Sequence, residues 1–243
     1  MKFKASILLI GVAILLSTGA VFSQNPTTGK QIKQNKKDLA EASKRATKAA
    51  KAFREILGDA DKAIPRDLLD RAEAVAVFPS VLKIAFGLGG RGGQGLISRR
   101  TINGWSAPAF FNLGGASIGP QIGVNRTDYI MLFMNDEGVK GLLKDKVELG
   151  ADAAVAAGPV GRTATVGTNA TFDSPILSYS RSRGAFIGVA LKGAVITADD
   201  DLNRSLYNKT AKDFLIRDAV VTAPAGVNVF PETLTSFSSR KAK

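Results

Sequence analysis

Residues Val75 to Val124 read VAVFPSVLKIAFGLGGRGGQGLISRRTINGWSAPAFFNLGGASIGPQIGV. Apolar β-formers occur in runs of four to eight, each ended by glycine or by a polar turn. That is the rhythm of short antiparallel strands rather than of helices. Glycine inside a strand pattern marks a bulge, a sharp bend or close backbone approach. The stretch therefore predicts a curled, largely antiparallel sheet, barrel- or sandwich-like. Its expected strands are Ala74–Phe78, Lys83–Leu88, Gly95–Ser98, Trp105–Phe111 and Ser117–Val124, with a break at Pro79-Ser80 and a tight turn at Asn103-Gly104. Trp105, the only tryptophan, is expected in the core with its neighbours Pro108, Phe110 and Phe111. Just beyond, Asp128 to Met134 is a near-continuous apolar strand and is expected to be central.

Gly87, Gly89 and Gly92 match the dinucleotide pattern G-x-G-x-x-G. A dinucleotide site needs that pattern to open a helix whose N-terminus meets the pyrophosphate. Here the strand-like Gly93–Ile97 follows, so the sequence favours a glycine hairpin in a bent sheet.

Upstream of the sheet lies the clearest helix, Lys30–Leu57. Leu39, Ala42, Ala46, Ala49, Ala50, Phe53, Ile56 and Leu57 form an apolar stripe at three-to-four spacing. The other faces carry Lys30, Lys33, Lys36, Lys37, Lys44, Arg45, Lys48, Lys51 and Arg54 against Asp38, Glu41 and Glu55. Two readings stand side by side: a basic amphipathic helix lying on an anionic membrane, or a helix packed on the sheet with a solvated basic face. Gly58 suits a C-cap, and Pro65 suits the first turn of a second, short helix.

The first 23 residues form a targeting segment. Lys2 and Lys4 precede the apolar run Ala5–Leu16, and Ser17, Thr18, Gly19 and Ala20 follow. This is the pattern of a secretory signal peptide, cleaved after Ala20 or Ser23. The run is shorter than the roughly 20 residues a membrane span needs. The expected product lies outside the cytoplasm, in a periplasm or secreted.

Downstream, Asn135 is expected to cap a helix over Asp136–Lys144. Strands are expected at Arg162–Thr168, Ile176–Arg181, Ala185–Leu191 and Ala194–Thr197, then short helices within 198–216. Residues 223–243, rich in Pro, Ser and Thr, are expected as a loosely held tail, with Val229 and Phe230 able to dock. The expected organisation is a signal segment over 1–23, one domain over 24–222 with its β core at 74–197, and the tail.

Composition narrows the chemistry. The 243 residues contain no cysteine and no histidine. Disulfides, thiolate metal sites, cysteine nucleophiles and Ser-His-Asp triads are thereby excluded. A formal charge of +12 favours a polyanionic partner. Ser178, Tyr179, Ser180, Arg181, Ser182 and Arg183 combine hydroxyls with two guanidinium groups, a set suited to phosphate. Arg99, Arg100 and Arg162 could extend it; the alternative is a solvated polar hairpin. Asp199, Asp200 and Asp201 lack calcium-loop spacing and read as a helix N-cap. Asn125, Asn169, Asn203 and Asn208 sit in N-x-S/T sequons, glycan acceptors only in a eukaryotic host.

The ordered set Ala74–Pro79 with Val81 and Lys83, Phe86–Gly95, Trp105–Phe110, Gly114-Gly115 with Ser117, Gly119, Gln121 and Gly123, Gly158–Arg162, Ser178–Ser180 with Gly184, and Asn203 with Tyr207 resembles the SYLF domain family. The likeness spans roughly Lys36 to Phe214. It implies lipid binding without catalysis, through an N-terminal amphipathic helix and a basic surface. No SH3 or FYVE module is legible, and a signal peptide resembles the exported bacterial branch. The implied ligand is then an anionic lipid such as phosphatidylglycerol, cardiolipin or lipopolysaccharide, with no cofactor and no nucleic acid. On this basis the candidate lipid contacts are Lys44, Arg45, Lys48, Lys51, Arg54, Phe53 and Leu57 on the helix, and Lys83, Arg91, Arg99, Arg100, Arg162, Arg181 and Arg183 on the sheet. Phe53, Ile56 and Leu57 are expected to insert shallowly. The competing expectation is an envelope interaction protein that binds an acidic polymer or protein.

Overall fold

The computed structural model describes residues 26–58, 63–144, 146–161, 174–182, 184–216 and 221–238. The expected signal segment and the expected strand Arg162–Thr168 lie outside these residues. The chain is α+β, a curled mixed sheet forming a half-barrel against helices. Helix α1 spans Pro26–Leu57 and α2 spans Arg66–Arg71. The sheet comprises β1 (Ala74–Thr101), β2 (Gly104–Trp105), β3 (Ala109–Phe133), β4 (Lys146–Glu148), β5 (Val155–Ala157), β6 (Ile176–Ser182), β7 (Ala185–Gly188) and β8 (Ala194–Ala198). Helix α3 (Asp136–Leu142) follows β3, and α4 (Asp200–Tyr207), α5 (Ala211–Phe214) and α6 (Val229–Phe237) follow β8.

The separate short strands expected between Ala74 and Met134 are two long ones. β1 and β3 pair antiparallel from Ala74–Phe133 to Ile97–Ala109. Pro79 does not end β1; it sits in a register shift between Phe78 and Val81, where Ser80 has φ 54. Proline lacks the N–H a ladder needs, so the pairing skips there and the strand bends instead of stopping. A second shift, between Phe86 and Gly87, lies opposite Gly119–Ile122. The two bends turn the ribbon back on itself. A Cβ on Gly95 would lie 2.4 Å from Phe78 and from the Val77 carbonyl, so only glycine lets the returning strand approach. Arg100 N–H then donates to the Glu73 carbonyl at 2.7 Å, joining the end of β1 to its beginning. The expected glycine hairpin is thus a curled ribbon, and no helix follows the G-x-G-x-x-G pattern.

β3 carries the rest of the sheet. It pairs with β6 over Asp128–Phe133 and with β8 over Phe111–Gly115. β7 and β4 extend these strands antiparallel, and β5 joins β6 in parallel. Alternation along the strands splits the core in two. Ala74, Ala76, Phe78, Phe111, Met131 and Phe133 face the cluster that includes α3 and α5. Val75, Val77, Leu96, Phe110, Ile130 and Leu132 face α1.

Asn135 caps α3 as expected, accepting from Gly138 N–H at 2.9 Å. The loosely held tail gives way to a helix, and Phe230 docks as the sequence allows. Residues 229–237 form α6, whose Phe230 and Leu234 are fully buried against α1 and whose Phe237 meets Phe53 edge-on at 6.0 Å. Apolar residues at i and i+4 give α6 the face that a Pro/Ser/Thr count conceals. Trp105 is half-buried rather than central, with the Arg100 guanidinium 4.0 Å above its ring.

Candidate functional site

Helix α1 has an inner and an outer side, and the sequence-derived contacts divide between them. On the inner side Ala42, Ala46, Ala49, Ala50, Phe53 and Ile56 are buried in the core cluster, while Leu57 is half-buried and Leu39 is exposed. The apolar stripe expected to insert into a membrane is therefore spent on the fold. Phe53 has no exposed surface. Burying one such side chain stabilises the fold by about 1.5–3 kcal/mol, and the sheet, α2, α4 and α6 supply the partners.

Arg45 also belongs to the interior. Its guanidinium pairs with Asp199 at 2.7 Å and with Glu41, and lies 5.9 Å from the centre of the Phe110 ring. Asp199 thus precedes α4, as the sequence implies, but its side chain binds Arg45 rather than capping the helix. Arg99 and Arg100 are likewise buried. Arg99 pairs with Asp136 at 2.7 Å and donates to the Leu215 carbonyl. Arg100 donates to the carbonyls of Ala72 and Leu69 and to Ser238 Oγ. Their planar forks bind carbonyls and carboxylates that end helices and turns, so these three cations tie elements together and are not surface contacts. Arg54 is exposed and donates to Thr233 Oγ1 at 2.8 Å, holding α6. Arg162 and Arg183 lie outside the described residues.

The outer side of α1 is a lysine stripe. Lys33, Lys36, Lys37, Lys44, Lys48 and Lys51 are all exposed. Successive steps of three, one, seven, four and three residues keep them within about a third of the helix circumference. At 1.5 Å per residue the stripe runs for about 27 Å. Lysine suits such a surface, because its ammonium stays hydrated while the stem lies along the helix.

At the C-terminal end of the stripe is a polar cleft of about 290 Å³, lined by Lys48, Lys51, Glu55, Pro79, Ser80, Asp128 and Arg181. Here the structure brings together three of the sequence-derived contacts. Arg181 pairs with Asp128 at 3.0 Å and with Glu55. The Arg181 hydrogen bond, opposed by burial and aided by the Arg181 and Lys51 charges, holds the Glu55 carboxyl below its usual range. Burial opposes the Arg181 charge, but its bonds to Glu55 and Asp128 outweigh that and keep its pKa raised. The N–H of Ser80, in its left-handed conformation, donates to Asp128 Oδ1 at 2.7 Å. Nothing in the spacing of Ser80 or Asp128 marks them as cleft residues; only the bend at Pro79 brings them to α1.

Lys83 and Arg91 are both half-buried on the ribbon, paired across it with Asn125 and Gly115. Arg91 reaches the Ala116 carbonyl at 3.5 Å. Ser178 is buried and donates to the Val189 carbonyl, and Tyr179 stacks on Phe186 at 5.5 Å. Burial pushes the Tyr179 hydroxyl pKa well up. These two residues therefore serve the core, and among the described residues of that hairpin Arg181 alone lines the cleft. Asn203 is buried too, exchanging two hydrogen bonds with the Phe110 backbone, which leaves its sequon without a free amide in the folded chain. Among the described residues no group of three acidic side chains is placed to hold a metal ion, and no helix is long and apolar enough to cross a membrane.

Residues 114–237, more than half of the chain, match the family described as Ysc84, Las17-binding protein actin regulator. The chain belongs to the Ysc84 (SYLF) family. Protein YSC84 of Saccharomyces cerevisiae is 32% identical over 207 residues, covering 82% of this chain and 44% of that protein. An SH3 domain-containing protein of Schizosaccharomyces pombe is 37% identical over 202 residues, covering 79% and 46%. The human SH3 domain-containing YSC84-like protein 1 is 30% identical over 207 residues, covering 84% and 60%. The chain thus spans about half the length of the yeast relatives it matches. The Ysc84 match ends at the last residue of α6, so the docked C-terminal helix falls within the family unit.

Proposed function

We propose that this Ysc84-family chain is a non-enzymatic protein that binds anionic membranes peripherally, by electrostatic attraction rather than by insertion of α1. The observation that carries this is the placement of six lysines on one solvent-facing stripe of a helix whose apolar side is buried. Each basic residue held near an anionic leaflet contributes about 1 kcal/mol, falling off within a Debye length. At about 27 Å the stripe is long enough to lie along a surface. The cleft at its end, with Lys48, Lys51 and Arg181, offers a place for one headgroup phosphate, which would compete with Glu55 and Asp128 for the guanidinium. In this reading residues 1–23 direct export, and the lipid is phosphatidylglycerol, cardiolipin or lipopolysaccharide.

Co-sedimentation with vesicles tests it. Binding is expected to phosphatidylglycerol mixed with phosphatidylcholine, and not to phosphatidylcholine alone. It should vanish at about 1 M salt, where the screening length falls to roughly 3 Å. Replacing Lys36, Lys44 and Lys48 by Glu should abolish it. Equal binding to neutral and anionic vesicles, or to neither, overturns the proposal.

A second reading has support in the family description, which names a protein partner and actin regulation. The same stripe suits an acidic protein surface. Co-sedimentation with actin filaments in the absence of lipid distinguishes the two readings.

A further inference from the structure

On both sides of its second bend the β1–β3 ribbon runs clear of the other described strands. Among the described residues β3 gains a second neighbour only at 111–115 and 128–133, and β1 only at 100–101. Among the described residues, 82–92 and 116–126 therefore pair with each other alone, a two-stranded arm. Positions Gly90, Gly92 and Gly123 have no other described atom within 4 Å of where a Cβ would stand, while Ala85 on the inner side of the curl is buried.

The arm is apolar where a sheet edge in water is ordinarily charged. Ile84 and Val124 are cross-strand partners, and they are 42% and 61% exposed. A trough of about 510 Å³ opens between the two limbs, lined by Leu82, Ile84, Gly89–Gly92 and Arg91. The charges on 82–92 and 116–126 are Lys83, Arg91 and Arg126, with no acidic residue. The arm also starts beside the lysine stripe, since Pro79, Ser80 and Asp128 at its root line the cleft with Lys48 and Lys51.

We infer that this arm is a second membrane-contact element, whose exposed Ile84 and Val124 enter the acyl boundary of an anionic bilayer while Lys83, Arg91 and Arg126 meet the headgroups. The charge decides the occupant. An exposed apolar pair, Ile84 and Val124, with three cations and no anion around it matches the profile of an anionic leaflet, apolar inside and negative at the surface. This inference rests on the membrane reading above, and it assigns insertion to the arm instead of to α1.

Because the chain has no cysteine, Val124→Cys carries one environment-sensitive dye, and Lys36→Cys carries it on the stripe. With vesicles of phosphatidylglycerol and phosphatidylcholine, the dye at 124 should shift to the blue and be quenched by nitroxides on the acyl chains. The dye at 36 should stay near water and escape that quenching. In the otherwise unchanged protein, Ile84→Asp with Val124→Asp should weaken vesicle binding roughly tenfold, two moderate side chains' worth of insertion, with the circular dichroism spectrum preserved. Vesicle binding with an unshifted, unquenched dye at 124 overturns the arm and leaves the lysine stripe standing. Absence of binding in every vesicle overturns both. A blue shift without vesicles that grows with protein concentration means that a second copy covers the arm, and also overturns the inference.

Discussion

Arg45 and Asp199 form a 2.7 Å ion pair between α1 and the residue preceding α4, across 154 residues of sequence. Both side chains are largely buried, with 8% and 17% of their surface exposed. Removing one partner of a buried pair strands the other charge away from water, which costs about 3–5 kcal/mol. Arg45→Ala should lower the urea midpoint accordingly, and Arg45→Met should recover part of the loss through packing. A midpoint unchanged by Arg45→Ala would show that α1 is not anchored there.

Phe53→Ala and Leu234→Ala empty the α1–α6 interface from opposite sides. Each should cost about 2–5 kcal/mol, seen as a lower thermal midpoint. Their effects should be less than additive, because both residues belong to one cluster. Vesicle affinity of the molecules that remain folded should not change. Loss of affinity at full stability would instead return Phe53 to the membrane.

Two neighbouring glycines should respond in opposite ways. Gly95→Ala places a methyl 2.4 Å from Phe78 and from the Val77 carbonyl. The misfit should cost about 1–3 kcal/mol or more, or prevent folding. Gly92→Ala meets open space and should stay within about 0.5 kcal/mol of the parent. Comparable losses at both sites would contradict the turn-back of the ribbon.

Glu55 links stability to acid. Its folded pKa lies below the ordinary value of 4.5, chiefly through the Arg181 hydrogen bond. The unfolded chain therefore takes up this proton first as pH falls. The contribution of Glu55 is present above pH 4.5 and is lost as pH drops through the lower folded value. Urea midpoints measured from neutral pH downward should fall less steeply below pH 4.5 in Glu55→Gln than in the parent. Parallel curves would refute the pairing.

The sheet was legible because glycine and β-formers alternate at strand spacing whatever their partners. The identity of α1 was legible from its period. What the period could not say is which face meets what. Ala42, Ala46 and Phe53 make the same stripe whether sheet or lipid lies beneath. Arginine misled more than lysine. Arg45, Arg99 and Arg100 read as surface charges, yet each finds carboxylates or carbonyls from segments distant in sequence. A local pattern carries no trace of Asp199 or Leu215. Pro79 was correctly placed as an interruption, but whether a strand stops or bulges there depends on β3 continuing opposite it. The cleft follows from that bulge and was hidden for the same reason.

The clasp of α6 on α1 sets an order of events in time. Arg54 and Thr233 are 179 residues apart, so α1 is synthesised well before the helix that clasps it. At about 5–20 residues per second the wait is roughly ten to forty seconds. Throughout it, Phe53 and Ile56 lack their final cover. A nascent α1 is thus a natural client for a holding chaperone, and a ribosome stalled before Phe230 would display it uncovered.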